Sequence, residues 1–466
     1  MSLLAAFVVP HPPLIIPAVG RGREAGIQAT IDAYRRVAAE IAELAPHTIV
    51  ISSPHATLYR DYFHVSPGAG ARGDFSRFGA PQASYRASYD TQLVAAFERL
   101  CQEQGIAAGT LAEREPALDH GTMIPLHFVN QRIQDFDVVR IGLSGFSPAE
   151  HYRVGRAMAQ AARELDRRVV WIASGDLSHK LTPDGPYGYA PEGPRFDAWA
   201  CDALARADLV ELLACDPSLA ERAAECGLRS FQMMAGAFDR TPLRAELLSH
   251  EGPFGVGYGV ACLYPTGAEA ADPSCDWLAA YEQRRAHDLA RRKAAEDAHV
   301  RLARAALEAY VRDRTRIAVP AGLPAELAAT RAGCFVSLKV DGALRGCIGT
   351  IAPTQPSLAE EIVANAISAG TRDPRFAPVD ARELPDLVYD VDVLGAPEPV
   401  AGPHELDPRR YGVIVSCADG RRGLLLPDLD GVDTVEEQLD IAARKGGIDL
   451  VGDAYRLERF EVVRHL

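Results

Sequence analysis

The sequence predicts an α/β fold, in which a mostly parallel sheet flanked by helices forms the larger part and a smaller α+β domain follows. Three observations support this prediction. Short, apolar, β-branched runs without polar alternation occupy residues 3–9, 48–53 and 168–174, and such runs suit strands that are buried on both faces. Stretches with apolar residues at helical spacing lie between them. The composition then shifts at residues 265–273, which are rich in glycine, alanine, aspartate and proline.

The elements of the first half follow in chain order. Residues 27–44 carry apolar side chains at helical spacing, which predicts a helix that joins the first two strands into a βαβ unit. Residues 59–89 show no sustained period and are interpreted as a long binding loop or lid. Residues 183–193 consist of turn-forming residues throughout. Further helices are predicted at residues 91–104, 149–166, 196–213 and 229–238, and further strands at residues 138–143 and in the run that ends at Tyr264.

The length indicates two domains, because 466 residues exceed what a single core usually serves. We place the first domain at residues 1–265, a linker and charged helix at 266–294, and the second domain at 295–466. A charged helical pattern extends over residues 277–312.

In the second domain we predict strands at residues 334–338, 387–394, 411–416 and 423–426, and helices at 358–369 and 433–445. Asp433 and Glu436 are expected to form a capping box on the last of these helices.

Charge and cysteine usage exclude several classes of protein. The formal net charge of −14 opposes binding to nucleic acid or to an anionic membrane surface. The start of the chain lacks the basic leader of a signal peptide, and no run of 18 or more apolar residues follows. The nine cysteines are odd in number and contain no Cys-x-x-Cys pair, which opposes both a disulfide framework and a structural zinc knot. We therefore expect a cytoplasmic protein.

Three histidines follow apolar runs that are predicted to be strands. His11, His55 and His179 each come shortly after such a run, and His120 lies in a loop directly after Asp119. In open α/β sheets ligands bind beyond the carboxyl ends of the strands, where these side chains are expected to converge. Any one of these histidines could be an ordinary turn residue, but their convergence predicts a site.

Two neutral imidazoles and one carboxylate, with coordination positions left open, suit ferrous iron (Fe2+) in oxygen chemistry, although another divalent metal would also fit. His11 and His55 are the natural pair, because prolines beside them fix the backbone. For the third ligand the sequence leaves three alternatives. Glu225 is the first choice, Glu251 is the second, and the thiolate of Cys226 would give a softer site.

Five ordered motifs in residues 1–265 resemble the class III extradiol ring-cleavage dioxygenases of the LigB type and their Memo-like relatives. The motifs are Pro10-His11-Pro12-Pro13, Ser53-Pro54-His55, Asp119-His120-Gly121-Thr122, Ser174-Gly175-Asp176-Leu177-Ser178-His179 and Glu225-Cys226-Gly227-Leu228-Arg229. The resemblance implies a ferrous centre held by His11, His55 and a later acidic residue, acting on dioxygen and a small aromatic substrate. It also implies that His179 is the acid/base residue and that His120 stabilises charge on oxygen or substrate.

The chemistry of the residues agrees with these roles. A dioxygenase of this kind must move protons between bound partners, so it needs an imidazole that is not committed to the metal. His179 is that candidate, and Asp176, three residues before it, is expected to orient its ring.

A second function remains open, because Memo-like proteins carry a cysteine where the ring-cleaving members carry their acidic ligand. This chain has Glu225 and Cys226 side by side. The alternative is a Memo-like metal-binding or partner-binding protein that acts with a radical-SAM partner in a multi-component modification pathway, without ring cleavage. Self-association into a homo-oligomer is left open.

A second set of motifs, in residues 295–466, resembles the AMMECR-type domain. It includes Cys334-Phe335-Val336-Ser337, Leu344-Arg345-Gly346-Cys347-Ile348-Gly349-Thr350 and Asp373-Pro374-Arg375-Phe376. Arg345 and Cys347 lie among glycines, so Cys347 is either an exposed reactive thiol near a cation or a buried cysteine at a tight strand turn.

Overall fold

The computed structural model describes residues 2–111, 117–267, 272–429 and 431–466, and the chain divides into two compact units, Met1–Arg285 and Ala286–Leu466. The strands of the first unit are β1 (Leu3–Val9), β2 (Thr48–Ser53), β3 (Phe63–His64), β4 (Gly70–Phe75), β5 (Ala80–Ser88), β6 (Ala108–Gly109), β7 (Asp137–Gly142), β8 (Val169–Ser174), β9 (Leu243–Glu251) and β10 (Tyr258–Pro265). Its helices are α1 (Pro17–Gly20), α2 (Gln28–Leu44), α3 (Thr91–Gln104), α4 (His120–Val129), α5 (Pro148–Glu164), α6 (Glu192–Ala205), α7 (Leu209–Leu213), α8 (Pro217–Ala223) and α9 (Leu228–Ala237). The boundary between the two units falls within α10 (Trp277–Ala295).

A six-stranded sheet with the order β7-β2-β8-β1-β10-β9 forms the centre of the first unit. Strands β7, β2, β8 and β1 are parallel to one another, β10 pairs antiparallel with β1, and β9 pairs antiparallel with β10. The predicted fold class, a mostly parallel sheet flanked by helices, is therefore confirmed. Because β1, β2 and β8 run in the same direction side by side, their carboxyl ends lie together at one edge of the sheet.

Both faces of the sheet are buried, which explains why its strands lack polar alternation. Val8, Val50 and Trp171 point into one hydrophobic core, which α5 and α9 cover. Phe7 and Ile51 point into a second core on the opposite face, which includes residues of α2 and α4. Strands buried on both sides read as continuous apolar runs, as the sequence shows.

Two predictions about the first unit are wrong. Residues 59–89 do not form one irregular loop, because they contain β3 and the antiparallel hairpin of β4 and β5. Helix 196–213 is interrupted after Ala205, and a new helix, α7, starts with Asp208 as its N-cap. Ala207 adopts a left-handed conformation between them, which a continuous helix does not allow.

The second unit contains two four-stranded antiparallel sheets, with the orders β12-β11-β13-β18 and β14-β17-β15-β16. Its strands are β11 (Cys334–Val340), β12 (Ala343–Gly349), β13 (Val388–Leu394), β14 (Glu398–Val400), β15 (Gly412–Cys417), β16 (Arg422–Leu425), β17 (Tyr455–Phe460) and β18 (Val462–His465). Its helices after α10 are α11 (Ala298–Asp313), α12 (Ala325–Ala329), α13 (Leu358–Thr371) and α14 (Val435–Gly446). This mixture confirms the predicted α+β class.

Two helix boundaries in the second half differ from prediction. The charged segment 277–312 is two helices, because Asp297 interrupts it and accepts hydrogen bonds from the first backbone N–H groups of α11. The capping box of α14 lies one residue later than expected, at Thr434 and Glu437. No helix within the described ranges is long and apolar enough to cross a lipid bilayer.

Candidate metal centre

His11 and His55 meet where β1 and β2 end. Their Nε2 atoms lie 3.0 Å apart, and their rings are nearly perpendicular, at 84°. His11 is buried, whereas His55 is exposed to solvent. Metal–nitrogen bonds are about 2.1 Å long, so two imidazole nitrogens on one ion lie roughly 3 to 3.5 Å apart. The observed spacing therefore suits a shared ion.

The hydrogen bonds of His11 direct its Nε2 lone pair towards His55. The Oγ–H of Ser174 donates to the carbonyl oxygen of Gly121 at 2.7 Å, so this hydroxyl is left as an acceptor for His11 Nδ1 at 3.0 Å. The proton of the neutral imidazole consequently lies on Nδ1, and Nε2 is free to bind a cation. Hydrogen bonds of this kind fix the tautomer of metal-binding histidines.

Cys226 completes a group of three potential ligands. Its Sγ lies 3.6 Å from Nε2 of His11, and the donor atoms of His11, His55 and Cys226 all lie within 4.8 Å of one another. The donor set is two imidazoles and one thiol. These groups fit zinc, copper or iron better than magnesium or calcium, which prefer oxygen ligands.

The structure does not bring the two predicted carboxylates into this group. The Glu225 carboxylate accepts a hydrogen bond from the backbone N–H of Leu228 at 2.6 Å, at the start of α9. Glu251 accepts hydrogen bonds from the backbone N–H and the hydroxyl of Thr30, at 2.7 and 2.6 Å. Both carboxylates are thus engaged elsewhere, and Cys226, placed after them in the sequence analysis, is the third residue that faces the histidines.

Two loops that touch through glycines position Cys226. The backbone N–H groups of Cys226 and Gly227 donate to the carbonyl oxygen of Asp176, and the N–H of Asp176 donates to Cys226 Sγ at 3.3 Å. A Cβ on Gly175 would lie 2.1 Å from Cα of Gly227, so only glycine permits this approach. The Asp176 carboxylate also accepts the backbone N–H of His11 at 2.6 Å, which ties the loops to the end of β1.

His179 lies beside this centre with one nitrogen directed towards it. Its Nδ1 contacts the carbonyl oxygen of Ala224 at 2.5 Å, which leaves Nε2 facing the Asp176 carboxylate at 4.0 Å. The close contact that orients the ring is therefore made by Ala224, and Asp176 lies between His179 and His11, 4.0 Å from each Nε2. The ring of Tyr187, which is 62 % exposed, stands edge-on to His179.

His120 lies against the metal pair without joining the ligand group. The predicted loop position of His120 is wrong, because it is the first residue of α4. Asp119 caps that helix while accepting a hydrogen bond from the Ser53 hydroxyl at 2.6 Å. The ring centroid of His120 is 4.0 Å from that of His55 and 5.3 Å from that of His11. Burial lowers the pKa of His120 to about 3, so the ring is a neutral hydrogen-bonding group at physiological pH.

Burial shifts His11, Asp176 and Cys226 towards their neutral forms. It lowers the pKa of His11 well below its ordinary value, and the neighbouring His55 lowers that pKa further. Burial also raises the pKa of Asp176 and of the Cys226 thiol. The imidazole lone pairs are thus available without loss of a proton, whereas the thiol requires a cation to replace its proton.

Sequence reasoning missed two positioning groups. Ser174 belongs to the motif that ends at His179, and its hydroxyl could have indicated a hydrogen bond that fixes the tautomer of His11. Ala224 acts through its backbone carbonyl oxygen and adopts a left-handed conformation, with φ 53°. An alanine in the sequence predicts neither of these properties.

Arg345 and Cys347 lie in β12 of the second unit. Arg345 forms a two-point ion pair with Glu383. The backbone N–H of Cys347 donates to Asp373 at 2.8 Å, and Arg375 donates to the Cys347 carbonyl oxygen at 3.2 Å. These contacts hold the edge strand β12 in place. Burial raises the pKa of the Cys347 thiol, which disfavours the reactive thiolate, so a structural cysteine is favoured over a reactive thiol.

Comparison with known proteins gives matches to both halves of the chain. Residues 5–261 match the family described as the catalytic LigB subunit of aromatic ring-opening dioxygenase, and residues 300–465 match the AMMECR1 family. A protein of Clostridium acetobutylicum is 40 % identical over 473 residues, which cover 100 % of this chain and 99 % of that protein. A protein of Thermotoga maritima is 54 % identical over 171 residues, covering 36 % of this chain and 98 % of its own.

Among solved structures, that of an uncharacterised protein from Pyrococcus horikoshii is 35 % identical, covers 36 % of this chain and 88 % of its own, and has a TM-score of 0.33. The family matches coincide with the two sets of motifs read from the sequence. The chain belongs to the LigB family of aromatic ring-opening dioxygenase subunits and carries an AMMECR1 domain in its second half.

Proposed function

We propose that the first domain is a metal-dependent oxidoreductase that uses ferrous iron and dioxygen on a small catecholic or related aromatic substrate. The observation that carries the proposal is the group of His11, His55 and Cys226, whose donor atoms lie within 4.8 Å of one another at the carboxyl edge of the sheet. Three protein ligands leave coordination positions open, as catalytic metal sites require.

The donors fit iron in their chemistry and their hydrogen bonding. The two imidazoles are neutral, the tautomer of His11 is fixed by Ser174, and the thiol becomes a strong anionic ligand once a cation takes the place of its proton. Bound iron would supply the electron transfer that chemistry between dioxygen and an aromatic ring requires.

His179 and His120 provide the proton chemistry around the metal. Nε2 of His179 is directed at the site, and the ligand atoms of His179, Asp176 and Cys226 also lie within 4.8 Å of one another. In this proposal His179 stays off the metal, so it can accept a proton from a substrate hydroxyl and return it later. His120 is neutral and lies against His55, where its N–H can stabilise negative charge on oxygen. The exposed rings of Phe78 and Tyr187, each edge-on to one of these histidines, offer flat apolar contacts to an aromatic substrate.

A second function, metal binding without ring cleavage, is favoured by one observation. Cys226, and neither Glu225 nor Glu251, faces the two histidines. A thiolate makes a softer site that also suits copper. In that case the protein would be a Memo-like component of a modification pathway with a radical-SAM partner.

Metal analysis and oxygen uptake distinguish these functions. The full-length protein would be loaded anaerobically with ferrous iron, its bound metal measured by mass spectrometry, and its oxygen consumption followed with a panel of catechols. We expect about one iron per chain and consumption of oxygen in proportion to catechol. Bound metal without oxygen uptake across the panel would reject the oxygenase and support the second function.

The third ligand is tested by a matched pair of variants. Cys226→Ala should lose iron, whereas Glu225→Gln should retain it, because the glutamine amide oxygen can still accept the hydrogen bond from Leu228. Retention of iron by Cys226→Ala together with its loss from Glu225→Gln would reverse the assignment.

We also propose a cytoplasmic location, which the free state of all nine cysteines supports, since disulfides are rare in reducing compartments.

A further inference from the structure

Asp297, His299 and His465 come together in the second unit. His465 Nδ1 lies 2.5 Å from Oδ2 of Asp297, and His299 Nδ1 lies 3.3 Å from the same oxygen. The two imidazole rings stack, with their centroids 3.6 Å apart. The three potential ligand atoms all lie within 4.8 Å of one another.

We propose that these three residues form a second metal site, which takes zinc and fastens the last strand of the chain to helix α11. Two imidazoles and one carboxylate are a ligand set that zinc accepts, with a fourth position left for water. The site is independent of the function proposed for the first domain.

The carboxylate of Asp297 is divided between two tasks, which leaves one oxygen for a cation. Its Oδ1 accepts hydrogen bonds from the backbone N–H groups of His299 and Val300, at 2.8 and 3.1 Å, and so caps α11. Its Oδ2 faces the two imidazoles. The negative charge also offsets the partial positive charge of the helix N-terminus, which would otherwise repel a cation.

One ligand pair already has the spacing that an ion requires, and the third ligand must shift. Ligands around a tetrahedral ion at about 2.1 Å lie about 3.4 Å from one another, close to the 3.3 Å between His299 and Asp297. Asp297 must move away from His465, and its side chain is 41 % exposed and therefore has room to do so. The two rings must also turn out of their stacked arrangement, so that both Nδ1 lone pairs point at the ion.

The placement of the ligands gives the ion a structural effect. His299 and His465 are largely shielded from water, with side chains 5 % and 16 % exposed. His465 lies on β18 opposite Val391 of β13, and it is separated from Asp297 by 168 residues. An ion that binds only the folded arrangement stabilises it by mass action, so the second unit should resist unfolding better with metal than without it.

The test uses the full-length protein with His11→Ala, His55→Ala and Cys226→Ala, which removes all three proposed ligands of the first site, including the cysteine that lies within 4.8 Å of the ligand atoms of Asp176 and His179. Zinc chloride would be added, unbound metal removed by dialysis, and the retained zinc measured by mass spectrometry, with thermal unfolding followed in zinc and in a chelator. We expect about one zinc per chain and a higher unfolding temperature in zinc. No retained zinc in this background overturns the proposal.

Two further variants assign the ligands in that background. His465→Ala should weaken zinc binding by more than about tenfold and abolish the rise in unfolding temperature, whereas His404→Ala, which changes an exposed histidine of the same unit, should do neither. Asp297→Asn keeps a residue that caps helices well, so the protein should still fold, while its zinc binding falls and zinc no longer raises its unfolding temperature. Zinc binding by His465→Ala and Asp297→Asn equal to that of His404→Ala would refute the site.

Discussion

At the scale of single residues, hydrogen bonding separates the histidines of the first domain by role. Nδ1 of His11 is held by the Ser174 hydroxyl, and its Nε2 points at His55. Nδ1 of His179 is held by the Ala224 carbonyl, and its Nε2 points at Asp176. Both rings are thus fixed with Nε2 facing the centre, but only His11 belongs to the three-residue group that includes His55.

Replacing His179 should therefore affect turnover more than metal binding. His179→Ala is expected to retain iron and to lower the rate of oxygen consumption with catechol by about two to four orders of magnitude, since positioned proton transfer contributes about that much. His11→Ala and His55→Ala should each empty the site. Bound iron and oxygen uptake are measured on the same samples, and equal loss of iron from all three variants would contradict the separation of roles.

Single residues also show what the sequence could not decide. The convergence of His11 and His55 was predictable, because parallel strands bring their carboxyl ends together and both side chains follow such strands directly. Glu225 and Cys226 are neighbours in a loop, where no periodicity tells which side chain faces the histidines. The hydrogen bond that the Glu225 carboxylate accepts from the Leu228 N–H, and the one that the Cys226 N–H donates to the Asp176 carbonyl oxygen, decide it.

At the scale of elements, the metal centre depends on two loops that are packed backbone to backbone. The loop after β8 supplies Asp176 and His179, and the loop before α9 supplies Ala224 and Cys226. Gly175 lies at their contact point, where a Cβ would come within 2.1 Å of Gly227. Backbone cannot yield as a flexible side chain can, so an added methyl group must push the loops apart.

Gly175→Ala should consequently loosen the metal site. We expect destabilisation of about 1–3 kcal/mol, as for other overpacked positions, and iron affinity lowered by about tenfold or more, because Cys226 moves away from His11. Metal titration and chemical unfolding measure the two effects. Gly402→Ala is the matched control, since its new Cβ would meet only the exposed side chain of His404 at 3.1 Å. Unchanged iron affinity in Gly175→Ala would show that the loop contact does not position Cys226.

Sequence analysis predicted best the elements that bury one apolar face along their whole length. Helices 27–44 and 91–104 match α2 and α3 within one residue, because each has a single apolar stripe against the sheet. The hairpin of β4 and β5 escaped detection because its strands are largely exposed and carry glycine and arginine, so burial imposes no alternation on them. Strand pairing stabilises the hairpin, and the hydrophobic periodicity of a sequence does not reveal strand pairing.

At the scale of the whole molecule, the two units have separate hydrophobic cores and can be followed separately. All three tryptophans of the chain, Trp171, Trp199 and Trp277, lie in the first unit. Tryptophan fluorescence therefore reports on the unfolding of the first unit, which contains the LigB domain. This separation allows the pH dependence of one unit to be measured in the intact chain.

The LigB domain should lose stability as the pH falls below about 6.5, and His151 should be one cause. Burial lowers the pKa of His151 from 6.5 to about 4 in the folded state, where its Nδ1 contacts the Ser147 carbonyl oxygen and its Nε2 accepts the N–H of Ser144. The unfolded chain therefore binds a proton at a higher pH than the folded chain does, and the free energy of unfolding declines between pH 6.5 and 4.

The lowered pKa corresponds to about 3 kcal/mol at the acidic end of this range. Unfolding by denaturant, followed through tryptophan fluorescence in chelator between pH 7.5 and 4.5, measures the slope. His151→Gln should have a lower free energy of unfolding at pH 7.5 and a shallower decline with acid, because glutamine has no proton to take up on unfolding. His404→Gln should follow the wild type, since that side chain is exposed and lies in the other unit. Parallel declines in His151→Gln and the wild type would show that the buried imidazole does not contribute to the acid sensitivity of this domain.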